Sequence, residues 1–89
     1  GRYAVGLQVV GVEPGAGAAA AGLQPFRFDG NYIAEWGDVI VEIGGRPVRS
    51  TNDLLRELRG RKRGEQVAVK VLRGEPPRQQ VLELTVTLT

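Results

Sequence analysis

Two segments in the last third of the chain show the clearest alternation of hydrophobic and polar residues. In 66–73 three valines stand at alternate positions, and in 79–88 leucines and valines alternate with polar residues. A period of two is that of a β-strand with one buried face, so each segment is a predicted strand. The Gly-Glu-Pro-Pro sequence at 74–77 turns the chain between them. The pair is therefore predicted to form a hairpin.

Two more strands are predicted nearer the N-terminus. The segment 7–12 is hydrophobic at nearly every position, which is typical of a strand that is buried on both faces. The segment 38–43 places Val39, Val41 and Ile43 on one face and Ile40 on the other. A Gly-Gly pair follows and predicts a tight turn, after which Arg-Pro-Val forms a short extended piece.

Between the strands, residues 16–36 combine a short helix with an irregular segment. The stretch 16–21 contains five alanines, and Gly22 stands where a helix ends. Residues 24–36 show no clear period and hold four of the five aromatic residues: Phe26, Phe28, Tyr32 and Trp36. Long loops in small domains are often functional, but aromatic side chains also cover small cores. A lid over the core and a binding surface are both open interpretations.

A second helix is predicted at 52–59, where hydrophobic residues recur three and four positions apart. Ser50 with Asp53 three residues later is a capping signature, and Thr51 is the alternative cap. With four main strands and two helices, the pattern predicts an α+β, mainly β domain. The predicted architecture is a small antiparallel sheet or a partly open barrel, with the helices at its edges.

The amino-acid composition excludes several classes of catalytic site and metal site. The 89 residues suffice for one domain and contain no His, no Cys and a single Ser. Ser-His and Cys-His catalysis, Cys- or His-based zinc sites and disulfides are therefore excluded. The single Ser50 stands at a helix start, where serine serves as a cap. We expect no enzymatic activity of this chain alone, no metal site and no cofactor.

The net charge says little about the partners of the protein, since twelve basic and ten acidic residues give only +2. The basic run at 56–63 is interpreted as the solvated end of the second helix, where cations suit the helix dipole. Nucleic-acid binding would need more charge and nearby stacking aromatics, so no nucleic-acid partner is expected. No apolar run has the length of a membrane span, and no signal peptide opens the chain. The opening Gly-Arg-Tyr is typical of a segment within a longer protein.

The order of these motifs resembles a PDZ domain, specifically that of HtrA/DegP-type (Deg-like) trypsin-like serine proteases. The resemblance covers nearly the whole of 1–89, as one domain, and 24–36 resembles the insert of the Deg-type subset. The stretches that carry it are Val12–Gly15, Ala20–Leu23, Gly37–Ile40, Gly44–Val48, Asp53–Leu54, Gly64–Val67 and Val71–Gly74.

This resemblance implies a peptide-binding module. Apolar C-terminal or unfolded segments would add as a strand between a sheet edge and the helix 52–59, for substrate tethering or protease regulation in protein quality control. The implied parent is a serine endopeptidase outside the cytoplasm, usually in the bacterial periplasm, and its protease domain is an implied partner. Site-two metalloproteases, tail-specific proteases and secretion-system proteins carry similar domains and remain alternatives.

The resemblance also assigns the groove residues. Thr51 matches the start of the groove helix, Leu55 and Leu58 match its apolar wall, and Leu54 points into the core. In sequence, a pocket wall and a core leucine look identical, so for Leu55 and Leu58 plain core packing stays equally open.

The chain departs from the family's pattern at the loop that holds the peptide carboxylate, because only residues 1–6 are available for this loop. They include Tyr3, Val5 and Gly6. Three explanations are open: the loop and its strand are absent, 3–6 is a shortened version, or 5–7 is itself the loop. The spacing from Leu7 to the glycine that ends the first helix argues against the third.

A second, structural function stays open beside peptide binding. Phe26, Phe28, Tyr32 and Trp36 would then form a docking patch for another domain or subunit. Solvent exposure of these four side chains distinguishes a docking patch from a lid.

Overall fold

The computed structural model describes residues 6–10 and 17–88. In chain order the elements are β1 (Leu7–Gln8), α1 (Gly17–Ala20), β2 (Arg27–Asp29), β3 (Tyr32–Glu35), β4 (Asp38–Ile43), β5 (Arg46–Pro47), α2 (Thr51–Leu58), β6 (Gln66–Arg73) and β7 (Gln80–Thr87).

Most strands belong to one antiparallel sheet in the order β1-β4-β6-β7, with β5 paired to β4 beside β1. Strands β6 and β7 pair along all eight residues, which confirms the predicted hairpin. Of the predicted alternatives, the antiparallel sheet is the one observed, because the described strands form an open sheet and not a closed barrel. No helix among the described residues is long and apolar enough to span a membrane.

The core lies on one face of this sheet and is built almost entirely from valine and isoleucine. The alternation predicted for β6 is confirmed, since its three valines are buried while their neighbours are more exposed. The buried cluster consists of Val9, Ile40, Ile43, Val48, Val67, Val69, Val71 and Val86. Because branched side chains suit a pleated surface, this composition favours a sheet-based core.

The predicted faces of β4 are wrong. Ile40 and Ile43 lie together in the core cluster, although a regular strand would place them on opposite faces. The reason is a bulge: β4 advances two residues from Ile40 to Glu42, while the paired β6 advances one, from Val71 to Lys70. One extra residue reverses the alternation for everything beyond it.

The first strand is shorter than predicted. Regular pairing covers Leu7–Gln8 only, and residues 11–12 of the predicted segment lie outside the described residues. Burial on both faces is also wrong, since Val9 is buried whereas Gln8 and Val10 are exposed. As the end strand of the described sheet, β1 packs against the core with one side only.

The segment 24–36 was predicted to be irregular, and this prediction is wrong. The segment forms the hairpin of β2 and β3. Phe28 pairs with Ile33 across the hairpin, and Gly30 in the turn has a φ of 61°. Glycine adopts this positive φ without steric cost, which a tight hairpin turn requires. The strands are only three and four residues long, too short for their alternation to stand out in the sequence.

Helix α2 starts and ends one residue earlier than predicted. Ser50 is the cap, as the first of the two alternatives proposed: its Oγ accepts a hydrogen bond of 3.2 Å from the backbone N–H of Asp53. The Asp53 carboxylate in turn accepts one of 3.0 Å from the backbone N–H of Arg49. The first bond satisfies a backbone donor that the first turn of a helix leaves unpaired, and the second holds the chain just before the helix.

Candidate functional site

Helix α2 presents hydrophobic side chains that the domain does not bury. None of its residues is buried. Leu54 packs against the core cluster, as predicted, whereas Leu55 is 56% exposed. Thr51, the first residue of the helix, is exposed as well. Leu55 therefore presents an apolar side chain at the surface of the helix.

Directly beside α2, an apolar cavity of about 240 Å³ opens into the core. Leu58 forms its wall on the helix side, and the remaining walls come from the strands and from α1. The other lining residues are Gly17, Ala18, Leu23, Ile40, Ile43, Val67, Val69, Val86, Thr87 and Leu88. The cavity therefore lies between α1, α2 and the inner face of the sheet.

The size and lining of this cavity decide what it can hold. An apolar cavity of about 150 Å³ in another protein accommodates benzene. A space of about 240 Å³ is large enough for an aliphatic or aromatic side chain. Its walls offer mainly hydrocarbon contacts, so it favours an apolar group over a charged one.

The sheet also has an edge at β1, whose Leu7 pairs with Ile40, a residue that lines the cavity. In the described sheet β1 has a partner on one side only, β4. The backbone N–H of Val9 donates to Asp38 O (2.9 Å), and Val9 O accepts from the N–H of Phe26 (2.7 Å). In an antiparallel ladder, neighbouring residues point their backbone groups to opposite sides. The backbone groups of Gln8 and Val10 therefore face away from β4, towards the edge.

The residues predicted to hold a carboxylate are only partly described. Tyr3 and Val5 lie outside the described residues. Gly6 lies against β4: a Cβ built on it would be 2.9 Å from Ile40 O and would also meet the side chain of Val39. Close backbone packing thus requires a glycine here, and carboxylate binding by these three residues remains a prediction.

The four aromatic residues of the insert are distributed unequally. Phe26 is buried, Trp36 is half-buried, and Phe28 and Tyr32 are 46% and 80% exposed. The Phe26 ring lies 6.1 Å from that of Phe28 and 5.7 Å from that of Trp36. The insert therefore covers part of the core with Phe26 and presents Phe28 and Tyr32 to solvent, combining the lid and the surface that were considered.

A cleft of about 430 Å³ runs along the base of this hairpin. An exposed ion pair between Arg27 and Glu35, 3.2 Å apart, lies at its rim. The lining residues are Val10, Gln24, Pro25, Phe26, Arg27, Glu35 and Trp36. Because Val10 belongs to the same cleft, the aromatic hairpin and the edge of the large sheet are adjacent.

A buried ion pair holds the base of the hairpin. Asp38, fully buried, accepts two hydrogen bonds of 2.8 Å from the Arg73 guanidinium and one of 2.9 Å from the backbone N–H of Gln24. Arg73 also donates to Gly22 O at 2.7 Å. The bond from Gln24 joins Asp38 to the loop that precedes its strand, whereas the role of Arg73 had no signal in the sequence.

The hydrogen bonds to Asp38 raise the pKa of Arg73 above its ordinary value, and burial opposes this only in part. A raised pKa in the folded state stabilises the protein at every pH below the ordinary pKa of arginine. The Arg73 guanidinium is consequently charged throughout the neutral range.

From the sequence, one of the residues that line the cavity was assigned to a groove, and the others were not. Leu58 was assigned to the groove, and it lines the cavity. Thr51 and Leu55 lie on the same helix without lining it. The valines and isoleucines of β4, β6 and β7 were interpreted as core, since a hydrophobic residue has the same periodicity whether it faces a neighbour or a void.

The chain is similar to a part of two curated proteases. It is 35% identical over 72 residues to the putative serine protease HhoB of Synechocystis sp., covering 81% of this chain and 15% of that protein. It is 39% identical over 70 residues to the chloroplastic Protease Do-like 1 of Arabidopsis thaliana, covering 79% and 16%. The chain thus spans about one sixth of the length of these relatives.

The family assignment rests on a match over nearly the whole sequence. The sequence profile of the PDZ domain matches residues 2–88. The capped helix, the antiparallel sheet and the glycine-containing turns all occur in the order that the resemblance implied. The relatives are proteases, as the resemblance to HtrA/Deg-type enzymes also implied. The chain belongs to the PDZ domain family.

Proposed function

We propose that this domain binds apolar C-terminal or unfolded segments by strand addition, between the sheet edge and helix α2. The observation that carries the proposal is the open apolar cavity at Leu58, next to the exposed Leu55. The cavity would take one apolar side chain of the ligand. Main-chain hydrogen bonds would supply affinity that does not depend on the ligand's sequence.

The two leucines have different roles in this proposal. Leu58 lines the cavity and sets the shape available to the ligand's buried side chain. Leu55 lies on the adjacent helical stripe and would cover the bound segment from above. Thr51, one turn earlier, would contact the ligand farther from the cavity. The ligand would therefore lie along α2, with its apolar end at the C-terminal end of the helix.

The relatives suggest the setting in which this binding would act. We infer that the parent protein is a serine endopeptidase, in which the domain tethers substrates or regulates the protease in protein quality control. One relative is named as a chloroplastic protein, which is an organellar location. From the resemblance to HtrA/Deg-type proteases, we propose the bacterial periplasm for the parent of this chain.

Titration calorimetry tests the binding mode. Peptides that end in leucine, valine or phenylalanine are titrated with a free C-terminal carboxylate and with an amidated one. We expect binding by the free peptides and a weaker affinity for the amidated ones. Equal affinities would contradict recognition of the C-terminus, and absence of binding by both would contradict the proposed function.

Replacing Leu55 by aspartate is expected to weaken peptide binding at least about tenfold. The substitution removes an apolar contact worth about 1.5–3 kcal/mol and places a charge against the ligand's apolar surface. Because Leu55 is more than half exposed, folding should be nearly unaffected, which circular dichroism verifies.

The chain offers a matched control for this variant. Val81 is 55% exposed and lies on β7, five residues before Val86, the first residue of β7 at the cavity. Five residues of strand correspond to about 17 Å. Val81→Asp should therefore leave the dissociation constant unchanged within about twofold. Equal losses in the two variants would contradict a groove at α2.

The exposed aromatic side chains favour a second candidate function. Phe28 and Tyr32 protrude from the hairpin above the cleft at its base. Aromatic residues are enriched at the centres of protein interfaces, where they contribute large contact areas. We propose that this surface docks against the protease domain of the same parent chain.

Hydrogen exchange distinguishes docking from a free surface. The amides of the hairpin should exchange more slowly in the full-length parent protein than in the 89-residue chain. The double substitution Phe28→Ser and Tyr32→Ser should remove this protection without changing peptide affinity more than about twofold. Val81→Ser is the control. Equal exchange rates in the parent and in the isolated chain would contradict the docking proposal.

A further inference from the structure

Three positively charged side chains near the C-terminal end of α2 have no carboxylate partner among the described residues. They are Arg59, Lys62 and Arg63, and all three are exposed. Their neighbour Arg61 differs, since it pairs with Glu65 at 2.8 Å. The basic run interpreted from the sequence as a solvated helix end is thus divided into paired and unpaired cations.

The unpaired cations lie on a segment that adjoins two residues lining the apolar cavity. Arg59 directly follows Leu58, which lines the cavity. Arg63 directly precedes Gly64, whose N–H donates to the backbone oxygen of Leu88, another lining residue, at 2.7 Å. The segment 59–64 therefore connects two walls of the cavity.

Further hydrogen bonds hold this segment in place. Arg61 donates from Nε to Glu57 O at 2.8 Å and from its backbone N–H to Leu58 O at 3.2 Å. The N–H of Leu88 donates to Glu65 O at 2.9 Å. These bonds hold the backbone of 59–64 next to the cavity-lining residues Leu58 and Leu88, so the three exposed side chains start from positions close to the cavity.

We propose that Arg59, Lys62 and Arg63 form a cationic rim that attracts the terminal carboxylate of an apolar segment seated in the cavity. This inference rests on the proposed function and adds the charge of the ligand's end to it. The ligand chemistry follows from complementarity: the cavity favours a hydrocarbon group, and the rim favours a negative charge directly beside it.

Other anionic partners fit the same features less well. A nucleic acid would require more phosphate contacts and aromatic side chains for base stacking, and residues 59–64 contain no aromatic residue. An acidic side chain would have to lie at the same place as the terminal carboxylate. A ligand that ends in an apolar residue has its carboxylate there by its covalent structure.

The expected size of the effect follows from Coulomb's law. Two unit charges about 8 Å apart in water interact weakly, and each such cation strengthens binding by about twofold to threefold at low salt. Two cations together contribute about fivefold. At about 1 M salt the screening length falls to about 3 Å, and the contribution should largely disappear.

The test compares two double variants of equal net charge. Lys62→Gln/Arg63→Gln removes two charges from the rim. Arg27→Gln/Arg78→Gln removes two exposed charges, one on the aromatic hairpin and one between β6 and β7. For each protein, calorimetry gives the dissociation constants of one apolar peptide with a free and with an amidated end. Their ratio is the amidation penalty.

At about 0.01 M salt, the rim variant should lower the amidation penalty about fivefold, and the control variant should leave it unchanged. At about 1 M salt the three proteins should agree within about twofold. An unchanged penalty in the rim variant would overturn the inference while the peptide-binding function stands. A peptide whose affinity depends on an acidic side chain, but not on amidation, would also overturn it. Failure of the unchanged protein to bind any peptide would instead contradict the proposed function.

Discussion

Replacing Asp38 by alanine is expected to lower the free energy of unfolding by about 2–4 kcal/mol, because it leaves the Arg73 guanidinium and the backbone N–H of Gln24 without their charged acceptor. Asp38 is fully buried, and its two oxygens accept three hydrogen bonds from Arg73 and Gln24. Typical domains have a total stability of about 5–15 kcal/mol, so the loss would leave a large unfolded fraction. Guanidinium unfolding, followed by the fluorescence of Trp36, measures the change.

The Arg27–Glu35 ion pair provides the control. It has the same chemistry, and both of its side chains are largely exposed. Glu35→Ala should cost less than about 1 kcal/mol, since exposed ion pairs contribute little. A loss below about 1 kcal/mol for Asp38→Ala as well would show that the Asp38–Arg73 pair is not desolvated and does not hold the base of the hairpin.

Replacing Gly37 by alanine is expected to destabilise the domain by at least about 3 kcal/mol, a large effect for one methyl group. A Cβ at Gly37 would collide with the backbone of Pro25 and Phe26 and lie 2.7 Å from Gln24 O. Backbone atoms cannot move aside as a flexible side chain can. The two ends of the insert would have to separate, and the hydrogen bond from Asp38 N–H to Gln24 O, 2.7 Å long, would be lost.

Gly60→Ala separates this collision from the general cost of losing a glycine. Gly60 has a φ of 83°, and a Cβ there would meet nothing within 4 Å. The substitution should cost about 1–2 kcal/mol from backbone strain alone. Thermal unfolding of both variants gives the comparison. Equal losses at Gly37 and Gly60 would contradict the close approach at the base of the insert.

Both expected results concern the same place, where the insert leaves and rejoins the sheet. The backbone N–H of Phe26 at this base donates to Val9 O, and Val9 directly follows β1, the end strand of the described sheet. Loss of the Asp38–Arg73 pair would therefore disturb the hairpin and the edge together. In the proposed function, the same contacts hold the docking surface and the peptide groove at a fixed position relative to each other.

The sequence determined the local elements wherever one physical preference dominated. Strict alternation of hydrophobic and polar residues predicted β6 and β7. Ser50 with Asp53 predicted the start of α2 to within one residue. The order of motifs was sufficient for the family, as the match over residues 2–88 confirms. These features depend on interactions between residues near one another in the chain, which a single sequence records directly.

Only the tertiary structure decided which residues meet. The bulge in β4 depends on how β6 pairs with it, and therefore reverses faces that the sequence alone assigns regularly. The partnership of Asp38 with Arg73 joins residues 35 positions apart. The cavity beside Leu58 depends on how α1, α2 and the sheet pack among the described residues. A valine that faces a neighbour and one that faces a void have the same hydrophobicity, so only long-range packing separates a closely packed core residue from one that lines a cavity.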